Sequence, residues 1–478
     1  MLADNTQFMY LRFTVLGIAT LVAWNVFIVS SDFFRWEFRN TPFKDSFESV
    51  FSVLSNSVNL GALCYALYTQ AKANHDRRIR NGLVATIVAL GSTFLLPALA
   101  LEGWTALIIA LSALCVAAVA AAYVQCSIFG IAALLPEHCA EGFMSGQAIA
   151  GTVASAAQLV AICASRSDRG NDAVRAVYDR NSNIRICAAV YFFVAAAFLA
   201  FSTAAWKQLR TRLALAGAAH SDQLSDNMII SRMQEESPRL SRMQSTISVS
   251  NAETGLASAG SGSRLDLNRT QLETITSNVN AANANSRSAW VDKWLTYFEL
   301  QNAQMLYDTA TEIMPFVTIS TLVMAQTLAV FPPLTEAIVS SPQGSIQVTH
   351  LTAWHFLVFN IGDYAGRVST QWVECTSLRV LRVTVHSRWL LVMVFLLFPT
   401  SATSPQQSWT IQSDILFLLL IFILGWSNGL IATVALILGP KLATNKELAG
   451  SIIGFTMCIG LVIGAIASYP ILRISGIS

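Results

Sequence analysis

The sequence is short of charge. Asp, Glu, Lys and Arg make up only 12% of its 478 residues, against roughly 25% in an ordinary soluble chain. With 54% hydrophobic residues and a mean hydropathy of +0.52, that deficit excludes a soluble globular protein and leaves a polytopic membrane protein. It also lacks a basic stripe interleaved with aromatics, so nucleic acid is not an expected partner. The eight cysteines, Cys64, Cys115, Cys126, Cys139, Cys163, Cys187, Cys375 and Cys458, show no CxxC or Cys/His spacing. They read as small buried hydrophobes, not as disulfide partners or metal ligands. The six histidines sit mostly in loops or near span ends, and no His/Asp/Ser constellation or glycine-rich phosphate loop is present. Neither an enzyme nor a cofactor is therefore expected. The first apolar run, from Phe8, is too long for a signal-peptide core, so no cleavable signal is expected.

What is present is a series of apolar runs, each about 20 residues long, the length that crosses a bilayer. They fall at Phe8–Ser30, Val50–Gln70, Leu83–Leu101, Trp104–Leu135, Phe143–Cys163 and Ile184–Trp206. After a polar stretch come Tyr307–Val330, Leu351–Glu374, Trp389–Ser401, Ile411–Leu438 and Leu448–Ile471. The ninth is short and could begin near Val380. The predicted fold is all-α and integral to the membrane, with eleven transmembrane helices in a six-plus-five arrangement. The domains are 1–206, a six-helix bundle; 207–289, a linker; and 290–478, an interfacial helix followed by a five-helix bundle.

The linker is rich in Ser, Asn, Thr, Gln and Ala, a composition that cannot bury enough apolar surface to fold. Arg239, Arg242, Ser241 and Ser245 make a pattern a kinase could recognise, although a plain solvated linker is the commoner meaning of such a run. Trp290, Trp294, Leu295 and Phe298 recur at helical spacing and predict an amphipathic helix at the membrane interface. Basic residues orient the spans. Lys72, Arg77, Arg78 and Arg80, then Arg379, Arg382 and Arg388, then Lys441 and Lys446, occupy loops on one side, which is therefore cytosolic. The N-terminus and the linker share that side, and the C-terminus is exterior or lumenal. The run Arg166, Arg169, Arg175, Arg180 and Arg185 falls on the opposite side, against the rule.

Within the eighth span, WHFLVFNIGDYAGRVSTQW, Asn360, Asp363 and Arg367 lie near mid-membrane. Asp363 and Arg367 are four apart and share a helix face. A charge at that depth costs roughly 2.5–3.5 kcal/mol on insertion scales, so the pair must face a partner or a wet cavity. A charge pair that only cross-links helices is one meaning; a polar substrate site is the other. Trp24 and Asn25 close span one, Asn56 and Asn59 share a face of span two, and Gln125 and Ser127 sit inside AAYVQCSIFG. Helix–helix hydrogen bonding explains any one of these. Four spans each placing an amide, a ring or a charge at similar depth favour a common site. Gly142/Gly146, Gly362/Gly366 and Gly460/Gly464 are small-xxx-small pairs that let helices approach closely.

Several motifs in order carry a resemblance: AWNVF, QCSIFGIAALLP, MSGQAIAGT, Phe331-Pro332 followed by Thr335-Glu336, FNIGDYAGR, SNGLIAT, LGPK and ELAGSIIGF. Along nearly the whole chain they resemble the equilibrative nucleoside transporter family, in the manner of a fungal or other lower-eukaryote member. The resemblance implies a major-facilitator-like fold of two bundles around a central site, and facilitative transport of purine and pyrimidine nucleosides, nucleobases being open, by alternating access. It places Asp363 and Arg367 at the ribose hydroxyls, Gln125 at the base edge, Trp24 as a wall beside the substrate, and Leu21 and Leu461 against the base. Asn56, Ser127 and Asn360 complete the candidate site. Ala23, Gly362 and Tyr364 depart from the family's usual Pro, Phe and Trp. A proton-coupled symporter using Asp363, Glu312 or Glu336 remains an alternative, as does a receptor. Plasma membrane and vacuolar or other internal membranes are both open.

Overall fold

The computed structural model describes residues 2–44, 46–70, 73–99, 101–164, 184–213, 302–338, 348–372, 377–400, 411 and 413–475. Residues 207–289 and the predicted interfacial helix fall almost entirely outside that set, as does most of the Arg166–Arg180 run. Apart from an isolated bridge between Ile338 and Thr400, the described residues form helices and the turns between them.

In order these are α1 (Leu2–Val29), α2 (Ser31–Glu37), α3 (Phe47–Tyr68), α4 (His75–Leu99), α5 (Gly103–Leu134), α6 (Glu137–Ala164) and α7 (Ile184–Leu213). Then follow α8 (302–312), α9 (Met314–Val330), α10 (Pro333–Ala337), α11 (Val348–Ser369), α12 (Leu378–Phe395), α13 (Asp414–Leu442) and α14 (Lys446–Ile474). A long apolar segment becomes a helix because, in lipid, only a helix satisfies every backbone N–H and C=O within itself. Side chains cap where the helix ends are wet. Ser413 accepts from Leu416 N and Asn445 from Leu448 N, starting α13 and α14.

Each of the eleven predicted stretches overlaps a helix among the described residues, the seventh divided between α8 and α9 and the ninth reaching α12 only as far as Phe395. Among the described residues, eight segments are long and apolar enough to cross a membrane. Of the other long helices, α11 carries Asp363 and Arg367 and α12 carries Arg379, Arg382 and Arg388 within the span, while α6 begins on Glu137 and Glu141 and holds Gln147 and Gln158 farther along. The ninth stretch is displaced from its expected place. The helix begins at Leu378 and ends at Phe395, so Arg388 belongs to its interior instead of the preceding loop. The cysteines also differ from expectation: Cys126 and Cys139 are buried, but Cys64 and Cys187 are exposed. A membrane protein places apolar side chains on its outer surface as readily as in its core, so an apolar run does not imply burial.

The pairing of helices repeats between the halves. In the first half α1 packs on α6, and α3 on α5; in the second α9 packs on α14, and α11 on α13. Counting the predicted spans, one with five answers to seven with eleven, and two with four answers to eight with ten. The seam between halves follows the same pattern, α6 against α11 and α14 against α3 and α5. Residues 1–207 and 302–478 form one compact unit.

At one end, Phe27, Phe33, Phe34, Phe38, Phe47, Phe51 and Phe192 form an aromatic cluster joining α1, α2, α3 and α7. Beside it Arg185 bonds Glu37 at 2.7 Å and Glu102 at 2.8 Å, and Arg39 also bonds Glu102. One member of the anomalous basic run is thus neutralised by two carboxylates. Burial pushes the Glu37 carboxyl up against the pull of Arg185, while the hydrogen bond from Arg39, joined by Arg185, holds Glu102 below the usual range.

Candidate functional site

Two helices build the polar centre. On α11, Gly362 and Gly366 face the carbonyls of Phe422 and Trp426; on α13, Gly425 and Gly429 face those of Phe359 and Asp363. Four missing side chains let the two backbones touch. This contact sets Asn428 against Asp363, with Nδ2 donating to Oδ1 at 2.7 Å. Arg367 Nε donates to the other carboxylate oxygen, Oδ2, at 2.8 Å, one helical turn along. Its Nη1 crosses to the first half and donates to the Met144 carbonyl of α6 at 2.8 Å. Both residues are buried, Asp363 at 5% and Arg367 at 7% exposure.

A second arginine stands behind this pair. Arg388 of α12 is 3% exposed and donates from Nη1 to Val323 O at 3.0 Å, and from Nη2 to Thr327 Oγ1 at 2.7 Å and Leu424 O at 3.3 Å. The Thr327 hydroxyl lies 2.8 Å from Asn428 Oδ1, to which it donates. Arg388, Thr327, Asn428, Asp363 and Arg367 therefore form one hydrogen-bonded chain across α12, α9, α13 and α11, ending on α6.

Asn360, one turn before Asp363, donates from Nδ2 to Ser155 Oγ of α6 at 2.9 Å and to Phe356 O at 2.8 Å. Gly151 makes this possible, because a β-carbon there would overlap Asn360 Oδ1. Farther along the same seam, Thr370 donates to Glu141 at 3.3 Å.

The remaining sequence-predicted residues are more dispersed. Gln125, Trp24 and Leu21 are half-buried, on α5 and α1. Ser127 is fully buried, and its hydroxyl has no partner among the described residues. Asn56 is exposed and bonds Ser52 on its own helix, while Asn59 donates to the Ala118 carbonyl of α5 at 3.0 Å. Leu461 is 38% exposed on α14. The hydrogen bonds gather Asp363, Arg367 and Asn360 at the seam and leave the other six outside that network. Of the carboxylates considered for proton coupling, Glu312 accepts from Thr444 N and Oγ1 at 2.8 and 2.9 Å, capping the α13–α14 turn, and Glu336 is exposed.

Asn428, Thr327, Arg388, Met144 and Ser155 were not singled out by sequence. Asn428 sits in SNGLIAT and Arg388 was counted as a loop charge. The signal available for both was a polar side chain within an apolar run.

A polar chain at the seam of two helical bundles with matching internal pairing has the build of the major-facilitator fold. Solved structures agree: FucP in its outward conformation superposes with TM-score 0.53 at 11% identity, covering 99% of this chain and 93% of that one. The proton:xylose symporter XylE gives TM-score 0.53 at 11% identity, covering 99% and 89%. A family model described as nucleoside transporter matches residues 111–473. The chain belongs to that family, a family of transporters and not of enzymes. Equilibrative nucleoside transporter 1 of Rattus norvegicus is 25% identical over 505 residues, covering 98% of this chain and 97% of its own. The Homo sapiens protein of the same name is 24% identical over 509 residues with the same coverage, and equilibrative nucleoside transporter 3 of Rattus norvegicus 25% identical over 480.

Proposed function

We propose that this integral multi-pass membrane protein carries nucleosides down their gradient by alternating access, its two bundles rocking about the seam that holds Asp363 and Arg367. The observation that carries the reading is the hydrogen bonding of that pair. Asp363 accepts one bond on each oxygen and keeps acceptor capacity on both. Arg367 commits Nε and Nη1, and Nη2 takes no partner among the described residues. Acceptors beside a planar donor suit the vicinal hydroxyls of a ribose. Because Arg367 also holds an α6 carbonyl, a sugar that competes for the guanidinium acts on the contact between halves.

Gln125 would read the base edge, able both to donate and to accept, with Trp24, Leu21 and Leu461 against the faces of the base. Asn360, Asn56 and Ser127 would complete the lining. The eleven-span, six-plus-five topology, with the N-terminus and the 207–289 linker cytosolic, is part of the same reading. In its support, Lys441 with Glu137, and His75 with Glu447, draw the loops before α4, α6 and α14 to one end, where the basic residues lie. A kinase acting on the linker is the remaining element.

Radiolabelled adenosine and uridine uptake into proteoliposomes, with and without an inward proton gradient, tests the function. Uptake that equilibrates, ignores the gradient and disappears in Arg367→Ala is expected. Concentrative uptake that follows the gradient would make the protein a symporter. Binding without flux would make it a receptor.

A further inference from the structure

A groove of about 760 Å³ lies between α3, α4 and α5, lined by none of the residues of the Asp363–Arg367 site. One end is lined by Arg77, Arg78, Asn74 and Asn81, where α4 begins. From there the floor runs along Ala85, Val119 and Val116, and both valines are exposed, at 38% and 45%. Arg77 to Ala85 is eight residues of helix, roughly 12 Å. The groove is a cationic mouth continued by an apolar trough.

No Asp or Glu lines it. The nearest carboxylate in sequence, Asp76, is turned to Trp206 Nε1 at 3.0 Å and Arg80 at 3.8 Å. Arg78 is fixed in place: Nη1 donates to Ala66 O and Gln70 Oε1, both at 3.1 Å, Nη2 to Thr69 Oγ1 at 2.5 Å, and the guanidinium lies 5.3 Å from the Tyr123 ring centroid. Arg77 is different. It is exposed, its backbone N–H is held by Asn74 Oδ1 at 3.0 Å, and its guanidinium takes no partner among the described residues.

We propose that this groove binds one anionic phospholipid, its phosphate at Arg77 and Arg78 and one acyl chain along Val116 and Val119. Charge complementarity selects the headgroup, because two arginines with no carboxylate among the lining residues favour a headgroup of net negative charge over one whose charges cancel. The trough selects a lipid over a soluble anion, since an acyl chain can lie along valines that face hydrocarbon, where a solvated anion cannot follow without losing its water. Arg77 supplies the adjustable charge and Arg78 the fixed one.

The test uses the full-length protein, purified, delipidated and reconstituted in nanodiscs of phosphatidylcholine with a minor fraction of phosphatidylserine. Lipid retained on the protein is read by native mass spectrometry. Wild type should keep one phosphatidylserine in preference to phosphatidylcholine. Arg77→Gln should lower that retention about tenfold, the worth of one hydrogen bond to a charged group. Val119→Trp, which fills the trough from an exposed position, should lower it independently. Arg80→Gln, an exposed arginine of the same helix outside the groove, should not. Equal retention of the two lipids, or equal losses in the Arg77 and Arg80 variants, would replace the site with a diffuse surface field and overturn the proposal. Displacement by soluble glycerophosphate as effective as by phosphatidylserine would mean a soluble anion is the ligand, and would overturn it too.

Discussion

Gly429 and Asp363 are in backbone contact: a β-carbon on Gly429 would overlap the carbonyl oxygen of Asp363. The hydrogen bond from Asn428, one residue earlier, depends on that closeness. Gly429→Val should therefore push α13 from α11, at an overpacking cost of about 1–3 kcal/mol. Transport should fall more than tenfold while the bundle still folds. Gly61 is the control, with nothing within 4 Å of its added β-carbon. Gly61→Ala should leave uptake and thermal stability as they were. Equal effects at the two positions would mean that the α11–α13 contact does not set the site.

Arg388 acts through Thr327 and Asn428, and has no direct bond to the pair it serves. Arg388→Gln should slacken the amide that holds Asp363 and raise the KM for nucleoside about tenfold, with a smaller change in maximal rate. Asn428→Leu removes the same support one step nearer and should do at least as much. Because both act on one chain of bonds, their double variant should cost little more than the worse single variant. Strict additivity of the two effects on KM would show that Arg388 works elsewhere.

The Asp363–Arg367 pair was legible from sequence because both residues sit on one helix, and four-residue spacing fixes their mutual position. Asn428 was not, because its position opposite Asp363 depends on how α13 slides against α11. That register is set by Gly425 and Gly429, whose spacing is the same signal as Gly362 and Gly366 and could have been paired with it. Arg388 was misplaced for a related reason. A charge in a weakly apolar stretch looks like the end of a loop until the helix start is known, and it lies ten residues, roughly 15 Å, inside α12. The contacts of Met144 O could not be read at all, since every residue has a carbonyl. The order of the apolar runs, by contrast, survives in the helices, and eight segments among the described residues remain long and apolar enough to cross a membrane, because hydrophobic length is a property of the sequence alone.

Glu102 gives a pH dependence. Its carboxyl is held below the usual range by the bond from Arg39 and by Arg185, so ionised Glu102 stabilises the fold. That contribution is complete above the unfolded carboxylate value, about 4.3, and is lost as pH falls through the lower folded value. Its side chain is 32% exposed, so solvent screening limits the contribution to about 1 kcal/mol or less. Glu102→Gln should lower the melting temperature at neutral pH, and the gap to wild type should close below that range. A gap that persists at low pH would assign the effect to packing.

The bond from Asn360 to Ser155 spans the seam at 2.9 Å. If the halves part there during the cycle, this bond belongs to one conformation only, and removing it must shift the balance between conformations. A neutral hydrogen bond is worth about 0.5–1.5 kcal/mol net, a shift of roughly two- to tenfold in population. Ser155→Ala should therefore raise, by that factor, the maleimide reactivity of a cysteine placed at Thr152 in a background freed of native cysteines. Gly151→Ala should raise it further, because the new methyl group meets Asn360 Oδ1 directly. Reactivity unchanged in both variants, with uptake intact, would mean that α6 and α11 stay together throughout transport and that the bundles move about some other line.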